Sequence, residues 1–362
     1  MYIENIELKN FRNYRELKVS FSERVNIFLG NNAQGKTNLL ESIYMNSMAK
    51  SFKNVRDREM IRFGEEFCKI KTDIYADGET NTTEILINRD GRKGVKVNGV
   101  RIRKTSELLE RIFIVVFSPE DLKIVKEDPE KRRKFTDREL CQIDPGYYSA
   151  LSDYRKVLKQ RNSYLKESSV DPDVLDVWDT GLAKYGSRII KKRRDFITDL
   201  DRISSGIHES ISGGREKLSL KYEPDVSPDT DFYQLLCDSR SDDIRNRTTG
   251  HGPHRDDIKI SADGIDLRKF GSQGQQRTAA LSLKLSEIKL IEEETGEKPV
   301  LLLDDVLSEL DNQRQSFLIN SLGENQMFIT TADISGKVIS SMDAGRIFRI
   351  SAGTVETQIQ DA

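Results

Sequence analysis

Arg24-Val25-Asn26-Ile27-Phe28-Leu29 runs into Gly30-Asn31-Asn32-Ala33-Gln34-Gly35-Lys36-Thr37 and on into Asn38-Leu39-Leu40-Glu41-Ser42-Ile43, and this stretch decides the fold. The middle block fits G-x-x-x-x-G-K-[ST] at every fixed position. Glycines let such a loop curl so that successive backbone N–H groups face phosphate. The lysine then reaches the β and γ oxygens, and the Thr hydroxyl ligates Mg²⁺. The apolar run up to Leu29 reads as a buried strand. The residues after Thr37 open a helix whose N-terminus favours anions. A Gly/Asn-rich β-turn carrying a chance lysine is the competing reading, and the strand before and helix after tell against it. Gly30 to Asn38 are therefore candidate nucleotide-binding residues, with Lys36 also a catalytic candidate and Thr37 a metal ligand.

Working outward, Val300-Leu301-Leu302-Leu303 is an apolar strand ending in Asp304-Asp305. In a P-loop enzyme an acid at the end of a neighbouring strand holds Mg²⁺, and the next residue faces the attacking water. Asp304 is the expected metal ligand and Asp305 the expected catalytic acid. Upstream, Ser272-Gln273-Gly274-Gln275-Gln276-Arg277 opens an Ala/Leu-rich helix. A small polar turn at a helix start presents N–H groups and a hydroxyl to an anion; alone it is an ordinary helix cap. Placed just before the acidic strand, it marks the ABC class of ATPases, in which it caps the γ-phosphate of ATP held by the opposite subunit. Ser272, Gly274 and Gln275 are thus candidate ATP contacts, and Ser308-Glu309-Leu310-Asp311 stands where that class has its D-loop. Glu120, in Ser118-Pro119-Glu120, is either a third contributor to the Mg²⁺ shell or the start of a helix. Arg12, after the first strand, is either a phosphate contact or an exposed arginine.

The 362 residues carry 58 basic and 60 acidic side chains, 33% charged against 36% hydrophobic. A net charge of −2 gives no global pull on a polyanion, so DNA binding needs local patches. Candidates are Arg101, Arg103 and Lys104; Lys131 to Lys134; and Lys191 to Arg194. Three scattered cysteines exclude a disulfide framework and a CxxC metal site, and favour a reducing cytoplasm. No apolar run approaches the roughly 20 residues of a membrane span. The expected fold is α/β: an ABC-ATPase-type P-loop head, a mixed sheet with flanking helices, carrying an inserted helical lid. The head comprises residues 1–134, with an antiparallel β lobe around Lys69 to Val100, and 248–362. The lid is 135–247, where Tyr147, Leu151, Tyr154, Leu158, Arg161 and Leu165 recur at helical spacing and a further helix covers Phe232 to Arg245. The last predicted strand is Gln326 to Thr331. His254-Arg255-Asp256 mimics a kinase motif, but Ser261 stands where that motif needs Asn.

In order along the chain, Leu8-Lys9-Asn10-Phe11-Arg12-Asn13-Tyr14, the Gly30 loop, Phe117-Ser118-Pro119-Glu120-Asp121-Leu122, Pro129-Glu130-Lys131-Arg132-Arg133, Leu158-Lys159-Gln160-Arg161-Asn162, Gly252-Pro253-His254-Arg255-Asp256-Asp257, the Ser272 turn and Leu301 to Asp311 resemble the RecF family of bacterial DNA-repair ATPases, allied to the SMC and ABC ATPases. The resemblance implies an ATP-dependent homodimer with two composite sites, each pairing one copy's Lys36 loop with the other's Ser272 turn. It implies a clamp on DNA at single-strand gaps, junctions and stalled forks. Action with RecO and RecR to load RecA, and support of the SOS response, follow from the same likeness. Two departures from the wider ABC pattern point to slow hydrolysis: Asp305 replaces the usual Glu, and Thr330-Thr331-Ala332 stands where a switch histidine is expected. Other readings are an ATP-gated scaffold with incidental hydrolysis and the ATP-binding subunit of a transporter. The strand-rich segment and the lid tell against the latter.

Overall fold

A computed structural model describes residues 1–53, 55–332 and 344–358. The chain divides into two compact units, Met1–Glu120 with Glu287–Ala362, and Asp121–Ser286. The second is wider than the 135–247 insertion read from the sequence, because it also holds the helix at Pro129–Ile143, the strand at Asp257–Ala262 and the Ser272 turn.

The first unit contains β1 (Tyr2–Phe11), β2 (Tyr14–Ser20), β3 (Val25–Leu29), α1 (Lys36–Met48), β4 (Phe67–Ala76), β5 (Glu79–Asn88), β6 (Lys93–Val97), β7 (Val100–Arg101) and β8 (Ile114–Phe117). One sheet runs β2-β1-β4-β5-β6-β7, all antiparallel. Its tight hairpins sit at Asp77-Gly78 and Asn98-Gly99, where all four residues have positive φ. This is the turn geometry that matches strand twist and selects Asp/Asn-Gly pairs.

The second sheet forms around the P-loop strand. With β12 (Val300–Asp304), β13 (Met327–Thr331), β14 (Ala344–Ser351) and β15 (Thr354–Gln358) it runs β15-β14-β3-β13-β12-β8. All pairs are parallel except β14 with β15. Helix α1 contacts strands of both sheets and is buried on every side. An apolar stripe therefore cannot define it, and it has polar residues inside. These return to the helix itself: Ser42 Oγ donates to the Leu39 carbonyl at 2.7 Å and Ser47 Oγ to that of Tyr44 at 2.9 Å. Asn46 Oδ1 accepts from Thr83 of β5 at 2.7 Å, tying helix to sheet.

The second unit holds α2 (Leu122–Lys126), α3 (Pro129–Ile143), α4 (Pro145–Tyr164), α5 (Asp176–Ser212), β9 (Leu218–Glu223), α6 (Phe232–Asp238), α7 (Arg240–Asn246), β10 (Asp257–Ala262), β11 (Ile265–Asp266), α8 (Leu267–Phe270) and the start of α9 (Gln273–Thr295). The single helix expected over Phe232 to Arg245 is two. Ser239 leaves helical backbone geometry, and its hydroxyl takes the Leu235 carbonyl at 2.6 Å, the competition with the backbone ladder expected of serine.

The unit is organised by two buried arginines. Arg161 meets Asp179 and Asp243, each at 2.7 Å, and Thr249 at 3.0 Å. Arg193 meets Asp137 and Asp256, each at 2.8 Å, and donates to the Pro253 carbonyl at 2.6 Å. The kinase-like His254-Arg255-Asp256 stretch thus belongs to this core, with His254 Nδ1 2.7 Å from the Tyr154 hydroxyl.

Candidate nucleotide site

Residues between β3 and α1 form the loop, and the neighbouring strands fix its shape. A Cβ on Gly30 would lie 2.4 Å from the Ile350 carbonyl oxygen of β14, so only glycine fits. Gly35 has φ +116°, and a Cβ there would strike the Asn13 side chain. The loop is braced from outside. Asn13 Nδ2 donates to the Gln34 carbonyl at 2.9 Å, Tyr14 OH to that of Gly35 at 3.0 Å, and Asn38 Nδ2 to Asn13 Oδ1 at 2.9 Å. Gln34 faces the C-terminal hairpin, its side-chain oxygen accepting from Ala352 N at 2.7 Å.

Asn32, Ala33, Gly35, Lys36, Thr37, Asn38, Lys53, Asp304, Asp305 and Thr330 line one cavity of about 340 Å³. Lys36 Nζ folds back onto the Gly30 carbonyl and lies 3.4 Å from that of Asn31. Partial burial lowers its pKa, opposed by Asp305 and Asp304. Its cationic head is thus a donor closing the loop that needs an anion to replace those carbonyls. Thr37 Oγ1 donates to Asp304 Oδ1 at 2.8 Å, and Thr330 Oγ1 to the same oxygen at 3.0 Å. The Thr330 hydroxyl also accepts from the Asp305 backbone N–H at 2.9 Å, so one threonine fixes both acids. Burial raises the Asp304 pKa despite these two hydroxyls. Asp305 sits at φ 54°, a left-handed conformation that aspartate tolerates better than most residues. Ser308 Oγ donates to its carbonyl at 2.7 Å.

This donor set fits Mg²⁺. That ion is held by one or two carboxylates together with phosphate oxygens and water, not by an all-protein cage. Among the described residues no cluster of three His, Cys, Asp or Glu forms one. Thr37 Oγ1 and Asp304 stand together at the cavity wall, with Asp304 Oδ2 lacking a hydrogen-bond partner among the described residues.

The remaining candidates lie elsewhere. Glu120 is exposed in the Pro119–Asp121 turn and is not among the residues lining this cavity. Arg12 is neither free nor exposed. It grips the buried Glu41 with two hydrogen bonds of 2.8 Å and donates to the Glu59 carbonyl. It lines a second cavity of about 890 Å³ with Asn13, Asn38, Arg58, Arg62, Phe63 and Arg89, so Asn38 borders both. Ser272 and Gln275 belong to the helical unit and form a reciprocal cap. Gln275 N donates to Ser272 Oγ at 3.2 Å, and Ser272 N to Gln275 Oε1 at 2.9 Å. The Ser272 hydroxyl accepts in this cap, and Ser272 and Gly274 are exposed.

Lys53, Thr330 and the Arg58 to Arg62 wall escape a reading of the sequence. Thr330 could have been found as a polar residue ending an apolar strand beside Asp304; Lys53 and the arginines carry no local signal. Two of the three basic clusters are committed to internal structure only in part, through Arg132, Arg133 and Arg193. Arg132 pairs with Asp257 at 2.7 Å, Lys134 with Glu130 at 2.6 Å, and Arg133 donates to the Asp256 carbonyl. Arg193 is buried and Lys192 pairs with Asp144 at 2.8 Å. Arg101 borders an open hollow on the antiparallel sheet with Lys69, Arg92, Lys93, Lys96 and Glu84, where Lys69, Arg92 and Lys93 are likewise paired, with Glu84, Asp90 and Asp57.

The model of the RecF/RecN/SMC N terminal domain matches residues 2–353. The chain belongs to the RecF family. The DNA replication and repair protein RecF of Agathobacter rectalis is 49% identical over 359 residues, covering 98% of this chain and 99% of that one. The protein of the same name from Clostridioides difficile is 46% identical over 364 residues, 98% of each. A solved recombination mediator protein RecF with ATP, of the RecFOR pathway, superposes with a TM-score of 0.91 at 40% identity, covering 99% of this chain and 97% of that one. The Smc head domain of Pyrococcus furiosus shares the fold at 18% identity and a TM-score of 0.57. RecF-family membership fixes the class as a DNA replication and repair protein built on an SMC/ABC-type ATPase head. No helix among the described residues is long and apolar enough to cross a membrane.

Proposed function

We propose that the chain is an ATP-dependent DNA-binding protein of recombinational repair, weakly hydrolytic, whose ATP-bound dimer clamps DNA at gaps and single-strand/double-strand junctions. The convergence of Lys36, Thr37, Asp304 and Asp305 on one cavity carries this reading. The loop N–H groups and Lys36 bind the β and γ phosphates. Thr37 and Asp304 hold Mg²⁺, which when bound neutralises charge on the transferring phosphoryl group. Asp305 orients the attacking water, with Thr330 and Ser308 fixing its backbone. Its short side chain and left-handed backbone limit its reach, so turnover is slow and suits a timed clamp. The nucleoside lies towards the second cavity, reached past Asn38, where Phe63 and the arginines offer stacking and charge.

The Ser272 turn, exposed and with a hydroxyl proton to give, caps the γ-phosphate of a second copy. The hollow around Arg101 and Lys96 is the favoured phosphate-backbone contact. The solved relative described as a recombination mediator of the RecFOR pathway supports cooperation with RecR and RecO; loading of RecA, replication restart and the SOS response rest on the family resemblance.

The test is binding to a labelled gapped duplex, with and without ATP–Mg²⁺, for wild type, Lys36→Met and Ser272→Arg, with dimer mass followed by light scattering. ATP should drive dimerisation and DNA retention together, and both substitutions should abolish both. DNA retention independent of ATP would leave only an ATP-gated scaffold, a reading that the missing switch histidine keeps alive although Lys36, Thr37, Asp304 and Asp305 tell against it.

A further inference from the structure

Behind the Ser272–Gln275 cap lies a second layer of polar groups. Gln275 Nε2 points away from the cap and donates to Glu216 Oε1 at 2.9 Å. The other oxygen of that carboxylate, Oε2, lies 3.5 Å from Nε2 of His208, which is wholly buried in the last turns of α5. His208 Nδ1 lies 3.1 Å from Ser282 Oγ, and Ser282 is on α9, the helix that the Ser272 turn opens. The groups close a ring. It leaves α9 at Gln275, crosses Glu216 in the turn after α5, enters α5 at His208 and returns to α9 at Ser282.

Proton placement follows from the partners, with the tautomer assigned from the network. Burial keeps His208 below its ordinary pKa, with Glu216 opposing. A neutral ring has one proton for two neighbours. If Ser282 gave its proton to the Thr278 carbonyl, 2.8 Å away, the ring would donate from Nδ1. Its Nε2 lone pair would then face a carboxylate lone pair. With Ser282 donating to Nδ1, Nε2–H faces Glu216 Oε2 at 3.5 Å, an electrostatic contact and not a hydrogen bond, which removes the lone-pair clash but leaves Nε2 without a close partner. Glu216 is then hydrogen-bonded at one oxygen to the signature turn in front, and its other oxygen faces the buried ring of the long helix behind.

We propose that Glu216 is a positioning residue for the signature turn, anchored by His208 and Ser282, and that it sets the orientation of the Gln275 amide on which the Ser272 cap depends. This rests on the composite-site reading above. Gln275 has one amide to serve two roles. Its oxygen takes the Ser272 N–H, and that orientation points its NH₂ at Glu216. Without the carboxylate the NH₂ loses its acceptor, the amide turns, and the Ser272 N–H loses its partner. The exposed turn then frays, although nothing that touches ATP has been changed. An anion site needs its donors held within about 0.5 Å, which a frayed helix start does not provide. Because His208 and Ser282 lie on different helices, a shift of α5 along α9 would reach the signature turn through the same carboxylate.

The experiment uses the full chain as wild type, Glu216→Ala, Glu216→Gln, Ser282→Ala and Ser272→Arg. It measures fluorescent ATP binding to the monomer, ATP–Mg²⁺-driven dimerisation by light scattering, and thermal melting. Glu216→Ala should bind nucleotide like wild type, because the Lys36 loop is untouched, yet dimerise about a hundredfold more weakly, about tenfold for each of the two composite sites, the scale of one lost charge-assisted hydrogen bond per site. Glu216→Gln should recover dimerisation, its oxygen accepting from Gln275 and its NH₂ donating to His208 once the ring proton moves to Nδ1. Ser282→Ala, which removes only the far anchor, should show a smaller loss, and it carries the test if Glu216→Ala melts early. A Glu216→Ala protein that dimerises normally while Ser272→Arg does not would overturn the positioning role alone. A Glu216→Gln protein as defective as the alanine variant would also overturn it. If Ser272→Arg dimerises normally, the composite-site reading fails and the positioning role falls with it.

Discussion

Asp304→Asn separates a carboxylate kept for a cation from one kept for the fold. In the wild type, Oδ1 accepts from Thr37 at 2.8 Å and from Thr330 at 3.0 Å. An asparagine oxygen in the same place can accept both. What changes is the charge. Hydrogen bonds to an ionised acceptor contribute about 1.5–3 kcal/mol against about 0.5–1.5 for a neutral one, so two of them lose about 2–3 kcal/mol. Against that stands the effective penalty of burying an ion, several kcal/mol, which the amide does not carry and which Lys53 and Lys36 in the same cavity offset only in part. Burial outweighing both hydroxyls in raising the Asp304 pKa gives the sign of the sum: the charge is a net cost to the nucleotide-free protein. Asp304→Asn should therefore melt at or above the wild-type temperature without ligand. At about 100 times Kd, ATP–Mg²⁺ should stabilise the wild type by about 2.7 kcal/mol. At the scaling of a few degrees per kcal/mol for large domains, that is about 5–10 °C. The variant should melt alike with Mg²⁺ and with EDTA and should not hydrolyse ATP. A ligand-free variant melting more than about 5 °C below wild type would refute the reasoning, since the carboxylate would then be a structural anchor.

Three further outcomes follow from the geometry. Arg161→Met strands Asp179 and Asp243 and should destabilise the helical unit by about 3–5 kcal/mol in urea unfolding, with Asp179 partly rescued by Arg240 at 2.7 Å. His254 donates from Nε2 to the Thr249 carbonyl and accepts at Nδ1 from Tyr154, and its burial lowers its pKa from 6.5. The folded state then binds fewer protons than the unfolded one. Stability should hold above about pH 6.5 and decline as pH falls below it through the lowered value, and His254→Gln should flatten that part of the melting-temperature profile. Phe63→Ala, at a fully exposed side chain, should change stability by less than about 0.5 kcal/mol. It should weaken ATP but not tripolyphosphate by about fivefold in competition binding, the scale of one stacking contact of about 1 kcal/mol.

The parts of the site legible in the sequence are those that a fixed local spacing records. Gly30 and Gly35 are constrained by contacts under 3 Å and by a positive φ, and such constraints leave glycine at fixed spacing. The Ser272 turn is legible for a similar reason, because a reciprocal cap needs Ser and Gln three residues apart. Lys53 and Arg62 sit in loops brought to the cavities by the tertiary fold, and no local pattern records that placement. The same holds for β14, which pairs with β3 from more than 300 residues away and puts the Ile350 carbonyl against Gly30. Basic clusters mislead in the opposite direction. Lys191-Lys192-Arg193-Arg194 reads as a patch, yet Arg193 faces inward because four consecutive helical residues point to different sides of α5.

Arg193 and Arg161 also explain how so charged a chain holds its helical unit in one arrangement. Each joins segments distant in sequence. Arg161 of α4 binds Asp179 of α5 and Asp243 of α7, and Arg193 of α5 binds Asp137 of α3 and Asp256 before β10. Such pairs contribute little net stability over apolar contacts, because desolvation offsets their attraction. Misaligned alternatives are penalised heavily, since any slip of α4 along α5 strands a buried charge. An apolar seam would tolerate small slips. The proposed Glu216–His208–Ser282 chain between α5 and α9 is a smaller version of the same device, and there the register at stake is that of the proposed anion-binding turn, where a shift of about half an ångström matters.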